Sequence, residues 1–332
     1  MVKYSLIVPV YNRPNEVDEL LSSLANQIYR DFDVVIVEDG STEDCRKVVD
    51  DYSNDIPIHY YYKPNTGPGD SRNFGMQQAT GDYYIFVDSD CILPQNYFAE
   101  INQFLNTEDL DCFGGPDDAH PSFTTIQKAI NHTMTSTLTT GGIRGKKKQV
   151  DKFQPRSFNM GLKKEVFEQV GGFGNIHPGE DPDLSYRIMN AGYTTGLVSN
   201  ARVFHKRRID LKKFWIQVYK FGVVRVILGK WHPGTLKVVY AFPSAFLLFT
   251  IFSLLLSLVD LTFLIPLGLY ISLVFLESLL KTKSLLVSII SIPASFIQLW
   301  GYGYGFMKAI LKIKFMKMDE KKAFPKMFFQ RA

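Results

Sequence analysis

The triplet Asp88-Ser89-Asp90 closes an apolar run, Tyr83-Tyr84-Ile85-Phe86-Val87, of the kind that forms a buried strand. Carboxylates carried to the C-terminal edge of a strand in an open α/β sheet stand where such sheets bind ligands. A pair of them suits a hard divalent cation such as Mg²⁺ or Mn²⁺. The ligand this implies is a metal-bound diphosphate. An Asp-x-Asp triplet by itself also marks turns and N-caps, so its placement matters more than its composition. A second apolar run, Asp33-Val34-Val35-Ile36-Val37, ends in Glu38-Asp39 and the turn Gly40-Ser41. Two parallel strands would deliver both sets of carboxylates to one rim.

A third acidic group, Gly179-Glu180-Asp181-Pro182-Asp183-Leu184, precedes a helical pattern over Ser185 to Asn190. Asp183 can be a favourable charge at the positive end of the helix dipole. Glu180 and Asp181 are harder to explain that way, because adjacent carboxylates repel and want a cation or a shared proton. His205 ends a further strand-like run, Ala201 to His205, where it can be structural or a metal ligand.

The elements that must position these groups alternate through the first ~100 residues. Leu6 to Val10 reads as a buried strand, and Pro14 to Gln27 carries Val17, Leu20, Leu21 and Leu24 at helical spacing. A strand at Val34 to Val37, a helix around Asp44 to Tyr52, a strand at Ile58 to Tyr62 and a helix from Gly69 to Ala79 lead to the strand before Asp88. Such alternation predicts βαβ units and a mostly parallel sheet, an α/β fold. Beyond Pro94 come a helix at Tyr97 to Leu105 and a strand at Asp111 to Phe113. The segment Thr133 to Asp151, ending with Lys146-Lys147-Lys148, then reads as a solvated loop, with a substrate-contacting flap as the alternative.

These residues together resemble the family 2 glycosyltransferases, which have the GT-A fold. The resemblance covers about residues 3 to 230 and rests on five motifs in order: Ile7-Val8-Pro9-Val10-Tyr11-Asn12, Val37-Glu38-Asp39-Gly40-Ser41, Gly67 to Gly75 with Ser71-Arg72-Asn73, Asp88-Ser89-Asp90, and Gly179-Glu180-Asp181. It implies transfer of a sugar from a nucleoside-diphosphate sugar, a UDP-sugar being favoured, to a hydroxyl acceptor with inversion. Asp39 would accept hydrogen bonds from the base, with Pro9, Tyr11 and Asn12 lining the same pocket. The longer Glu38, where the family often has aspartate, leaves its own role open. Arg72 would reach the diphosphate with a guanidinium fork. Asp88 would hold the ribose or a metal-bound water, Asp90 would bind Mn²⁺ or Mg²⁺, and His205 stands where the family often supplies a metal-binding histidine. Asp181 would be the general base, with Glu180 as alternative base or acceptor-positioning group.

Composition divides the chain. Residues 1–203 hold 18 Lys+Arg against 28 Asp+Glu, and residues 204–332 hold 19 against 5, which sum to the net +4. An acidic front half is a poor nucleic-acid binder, so no nucleic-acid partner is expected. Three apolar stretches, Ala241 to Val259, Leu261 to Leu280 and Leu285 to Leu311, are each long enough for a hydrocarbon core. The expected organisation is a GT-A catalytic domain over 1–205, a basic interfacial segment over 206–238, a transmembrane region of two or three helices over 239–311, and a basic cytoplasmic tail over 312–332.

The segment Lys206 to Lys237, with nine Lys+Arg, one acid and interleaved aromatics, is expected to lie on anionic lipid near a lipid-linked or glycan acceptor, as in surface polysaccharide synthesis. The positive-inside rule places it, Lys281 and Lys283, and the tail in the cytoplasm, so the catalytic domain would face inward from the plasma or inner membrane. Pro293 and the Gly301, Gly303, Gly305 spacing would permit a kinked or re-entrant third stretch. Cys45, Cys91 and Cys112 have no paired or metal spacing. The sequon Asn131-His132-Thr133 reads as accidental in that compartment.

Two other classes compete. A nucleotidyltransferase would release pyrophosphate and would want a basic Gly-rich loop by the first strand, for which Asn12-Arg13-Pro14 is thin. A non-catalytic membrane scaffold would not need Asp39, Asp88, Asp90 and Asp181 intact. Processive synthases of the same family usually carry Gln-x-x-Arg-Trp, whereas here Gln217 is followed by Lys220 and Phe221. Transfer of one or a few sugars is the expectation.

Overall fold

A computed structural model describes residues 2–118, 123–140, 153–205 and 210–329. The chain divides into two compact units: Met1–His120 with Asp151–Lys206 and Phe328–Ala332, and Pro121–Val150 with Arg207–Met327. Lys146-Lys147-Lys148 falls outside the described residues.

The first unit opens with β1 (Tyr4–Val10), α1 (Pro14–Ala25), β2 (Phe32–Asp39), α2 (Arg46–Tyr52), β3 (Ile58–Lys63), α3 (Pro68–Gln78) and β4 (Tyr83–Val87). It continues with β5 (Cys91–Ile92), α4 (Tyr97–Leu105), β6 (Cys112–Gly114) and β7 (Asp117–Asp118). The next described helices, α5 (Thr125–Thr135) and α6 (Thr137–Thr140), belong to the second unit, after which β8 (Asn159–Lys163), α7 (Lys164–Val170), α8 (Glu180–Asn190), β9 (Thr195–Leu197) and β10 (Val203–His205) complete the first.

Seven strands form a sheet in the order β3-β2-β1-β4-β8-β6-β9, with β3, β2, β1 and β4 mutually parallel and β8 antiparallel to both neighbours. A smaller sheet, β5-β10-β7, stands beside it. The sheet is doubly covered. Leu6, Val8, Val34, Ile36, Ile85 and Val87 pack on one face with Val17, Leu20, Leu21 and Leu24 of α1, while Ile7, Val35, Val37, Tyr84 and Phe86 pack on the other with Met76 of α3 and Leu184 of α8. All eight residues of β2 are buried, as expected of a central parallel strand covered on both faces. The acidic residues at the ends of β2 and β4 are therefore carried by strands packed on both faces.

The second unit is helical: α5, α6, α9 (Leu211–Trp231), α10 (Phe242–Leu256), α11 (Ile265–Thr282), α12 (Leu285–Ala309) and the short α13 (Glu320–Ala323). With their flanking turns, Val238–Leu256, Leu261–Thr282 and Leu285–Phe315 are long and apolar enough to cross a bilayer, at mean hydropathies of 2.1, 2.1 and 1.6. The third is one continuous helix through Pro293. Its glycines serve packing: a Cβ on Gly301 would lie 2.6 Å from Val218, and one on Gly305 would lie 2.2 Å from the Tyr219 carbonyl oxygen of α9. Small residues let two helix backbones approach where both solvents are apolar.

One expected boundary differs. The 133–151 stretch begins in the helix α5, because Thr124 and Gln127 make a capping box and Ile130 and Met134 pack with Phe214, Val218 and Ala294 of the helical unit. Within the 206–238 stretch, Leu211–Trp231 forms α9, whose apolar residues Phe214, Val218, Val223 and Ile227 are buried.

Candidate active site

The site is assembled at the ends of β1, β2 and β4. Past β1, Asn12 takes a left-handed φ of 53°, and its Oδ1 accepts from the Thr42 and Glu43 amides at 2.8 and 3.0 Å while its own amide donates to Ser41 Oγ at 2.7 Å. Asn12 thus fastens the loop after β2 rather than standing open in a pocket. Pro9 pairs with Val37 inside the sheet, and Tyr11 is 52% exposed at the rim.

Glu38 and Asp39 end β2 with separate tasks. Glu38 is buried and accepts from Ser41 Oγ, from the Cys45 amide and Sγ, both at 3.0 Å, and from the Tyr60 hydroxyl at 3.4 Å, so its role is structural. Asp39 accepts from Lys63 Nζ at 2.6 Å and from the amides of Thr66 and Gly67 at 3.0 and 2.9 Å. Three of its roughly four lone-pair directions are taken by the chain itself. Asp39 thereby holds the turn into α3.

Beyond that turn, α3 presents Arg72, only 3% exposed. It does not stand free toward a diphosphate. Its Nη2 donates to Asp88 Oδ1 at 2.6 Å and its Nη1 to Glu180 Oε1 at 3.4 Å, with the guanidinium 5.4 Å from the Phe173 ring centroid. Asn73 fixes Phe173 in place by two bonds, accepting from its amide at 2.7 Å and donating to its carbonyl at 2.9 Å.

Past β4, the pairing of β5 with β10 sets His205 opposite Cys91. His205 Nε2 comes within 3.2 Å of Asp90 Oδ1 and 3.8 Å of Asp88 Oδ2, and Arg13 Nη1 lies 2.5 Å from Asp90 Oδ2. Burial alone would push the Asp90 carboxyl up, but His205 and then Arg13 outweigh it and hold it well below the usual carboxylate range. The donor atoms of Asp90, Cys91 and His205 all lie within 4.8 Å of one another. Burial pushes the Cys91 thiol far up, so it stays protonated and donates toward the Phe158 carbonyl. Asp88, Asp90 and His205 are left as an oxygen-rich set with one imidazole, which fits Mn²⁺ or Mg²⁺.

The last carboxylates open α8. Gly179, at φ 124°, turns the chain, and Glu180, Asp181 and Asp183 fill the first helical turn, where the helix dipole favours anions. Asp183 pairs with Arg187 at 3.1 Å, and Arg187 also ties down the Val170 and Gly172 carbonyls. Glu180 is buried, bonded to His177 Nδ1 at 2.9 Å and to Arg72. Burial opposes its ionisation, but His177 and Arg72 prevail and lower it. Asp181 behaves oppositely. Burial raises it, Arg156 at 3.8 Å pulls against that, and the Glu180 charge adds to the rise. Its side chain keeps 16% exposure, enough to be reached.

Arg72 therefore joins the carboxylates after β4 to those of α8 in one network. Arg13, His177 and Arg156 were not picked out from sequence. Arg13 adjoins the Tyr11-Asn12 motif and His177 sits three residues before Glu180, so both had a local signal; Arg156 had none.

The glycosyl transferase family 2 model matches residues 5–171, half of the chain. An uncharacterized glycosyltransferase of Rickettsia bellii is 38% identical over 109 residues, 31% of this chain and 16% of that protein. The poly(ribitol-phosphate) beta-N-acetylglucosaminyltransferase TarS of Staphylococcus aureus is 35% identical over 115 residues, 33% and 20% of the two chains. The GalNAc(5)-diNAcBac-PP-undecaprenol beta-1,3-glucosyltransferase of Campylobacter jejuni is 31% identical over 117 residues, 34% and 38%. The chain spans less than half the length of each of these relatives.

Among solved structures, the mannosyltransferase PcManGT of Pyrobaculum calidifontis, in complex with GDP-Man and Mn²⁺, superposes with a TM-score of 0.53 at 17% identity over 67% of this chain and 62% of its own. TarS 1-349 of S. aureus superposes at 0.50 and 18% identity over 95% and 92%. These likenesses show the fold, GT-A. With the ordered motifs and the family match, they place this chain in glycosyl transferase family 2.

Proposed function

We propose that the protein transfers a sugar from a nucleoside-diphosphate sugar to a hydroxyl acceptor with inversion at the anomeric carbon. The observation that carries this reading is the Arg72 bridge, which joins Asp88, beside Asp90 and His205, to Glu180, beside Asp181. One end of the network suits a metal diphosphate and the other a base.

Asp88, Asp90 and His205 would hold Mn²⁺ or Mg²⁺, which neutralises charge developing on the departing diphosphate. Asp181 takes the acceptor proton as the hydroxyl oxygen bonds to the anomeric carbon and the bond from that carbon to the diphosphate breaks. Its raised pKa makes it a better base than an ordinary carboxylate, and Glu180, held ionised, sustains that rise. Arg72, locked between Asp88 and Glu180, keeps the two ends at a fixed spacing, which is what a single displacement requires.

Relatives named as an N-acetylglucosaminyltransferase and a glucosyltransferase favour a hexose or N-acetylhexosamine as the sugar transferred, with the UDP-sugar donor that the ordered motifs imply. The name of the second includes an undecaprenyl-diphosphate acceptor, and three helices long enough to span a bilayer suit the same class of lipid-linked acceptor. The excess of Lys and Arg over 206–237 supports a catalytic unit on the cytoplasmic side of a plasma or inner membrane. The test is a screen of nucleotide sugars with Mn²⁺ or Mg²⁺ against the detergent-solubilised full chain. Release of nucleoside diphosphate with an inverted glycoside supports the reading; a retained glycoside, or pyrophosphate as product, overturns it.

A further inference from the structure

Phe328 and Phe329 follow the third apolar helix in sequence but belong to the sheet unit. Phe328 bridges antiparallel to Ile176, the Phe329 amide donates to the Asn175 carbonyl at 3.0 Å, and Asn175 Nδ2 donates to the Phe329 carbonyl at 3.5 Å. The short strand-like contact aims one ring at two working parts of the site. The Phe329 ring lies against Gly67, where a Cβ would fall 2.4 Å from it, and its centroid is 6.0 Å from that of His177. Gly67 supplies an amide to Asp39, and His177 supplies the imidazole to Glu180.

We propose that Phe329 is a positioning residue of the transferase site, acting through His177. The inference rests on the transferase reading above. The His177 side chain is 38% exposed, so the polypeptide around it leaves it room to rotate, and a ring packed against it restricts that freedom. The restriction matters because Glu180 is buried with Oε2 lacking a hydrogen-bond partner, and its charge is compensated at Oε1 by His177 and Arg72 alone among the bonds made there. If His177 swings away, Glu180 leans further on Arg72, and the bridge to Asp88 is strained. Gly67 answers to the same ring: φ of 96° calls for glycine, and so does the absence of space for a Cβ.

The experiment compares Phe329→Ala, Phe329→Tyr, His177→Ala and the Phe329→Ala/His177→Ala double variant in the full chain. Phe329→Ala is expected to lower kcat roughly tenfold with KM for the donor within about twofold, since a small misplacement of a reacting group costs rate more than binding. Phe329→Tyr should restore most of the rate, and Phe329→Ala should cost nothing further once His177 is gone. Full kcat in Phe329→Ala, or losses that multiply in the double variant, overturn the proposal.

Hydrogen exchange reads the same contact without substrate. Exchange across residues 173–180 should rise at least about tenfold in Phe329→Ala while residues 58–63 stay unchanged, and unaltered exchange at 173–180 overturns it. Turnover by the wild-type chain distinguishes failure here from failure of the transferase reading.

Discussion

The two acidic clusters at the site look alike in sequence and are opposed in the folded molecule. After β4, Asp90 is flanked by His205 and Arg13, and ionisation is favoured despite burial. At the head of α8, Glu180 takes the available positive charge from His177 and Arg72, and Asp181 is left with a more distant Arg156 and a like charge beside it. A carboxylate that stays ionised suits a cation ligand, while one that resists ionisation suits proton transfer. Neighbours, not residue type, assign the task.

The most severe way to break this contrast is Asp181→Asn. We expect kcat to fall about 10³-fold, within the span of a lost general base, while nucleoside diphosphate still binds; titration calorimetry with UDP and Mn²⁺ checks the second half. Because folding disfavours the Asp181 charge, that charge subtracts stability above its folded pKa, so the same variant should melt a few degrees higher at pH 7.

Asp90→Asn should do the reverse. The folded pKa is depressed, so its contribution to stability is present above an ordinary carboxylate pKa of about 4 and is lost as pH falls through the folded value. At pH 7 the variant should melt lower, lose about 10²-fold in turnover, and no longer be protected thermally by UDP with Mn²⁺. A higher melting temperature for Asp90→Asn would erase the contrast.

Smaller effects sharpen it. Rate should rise with pH as Asp181 deprotonates, on a limb shifted upward from that of an ordinary aspartate. Glu180→Gln removes a charge that raises Asp181, so the limb should move to lower pH, with a loss of about tenfold in kcat for a weaker base. Arg156→Ala removes a charge that lowers it, so the limb should move to higher pH with the plateau within about threefold of wild type. Movement of both limbs in one direction would show that Asp181 is not the group being titrated.

Strands β1 to β4 and helices α1 to α4 are legible because their apolar residues repeat at the strand and helix periods, and those of β1, β2, β4 and α1 are buried where that pattern puts them. From Thr133 on, threonine and glycine dilute the period and the sequence reads as loop; the last turn of α5, where Met134 packs with Phe214 and Ala294, and the short α6 decide otherwise as far as Thr140. Charge and aromatics dominate the 206–238 stretch, and the close approaches of α9 to α12 at Gly222, Gly301 and Gly305 are not encoded in that composition.

The sequence by itself determined which carboxylates exist, that Asp39 ends one buried parallel strand and Asp88 and Asp90 follow another, and that Glu180 and Asp181 open a helix, because those placements follow from local periodicity and turn chemistry. Only the tertiary structure decided what each carboxylate faces. It turned Arg72 inward to Asp88 and Glu180, set His205 beside Asp90 across a two-residue strand, gave Asp39 to the turn at Gly67, and brought Phe329 from far along the chain to His177. The physical reason is that a side chain's charge state depends on neighbours within a few ångströms, and those neighbours come from segments separated by up to more than a hundred residues, which no local pattern can record.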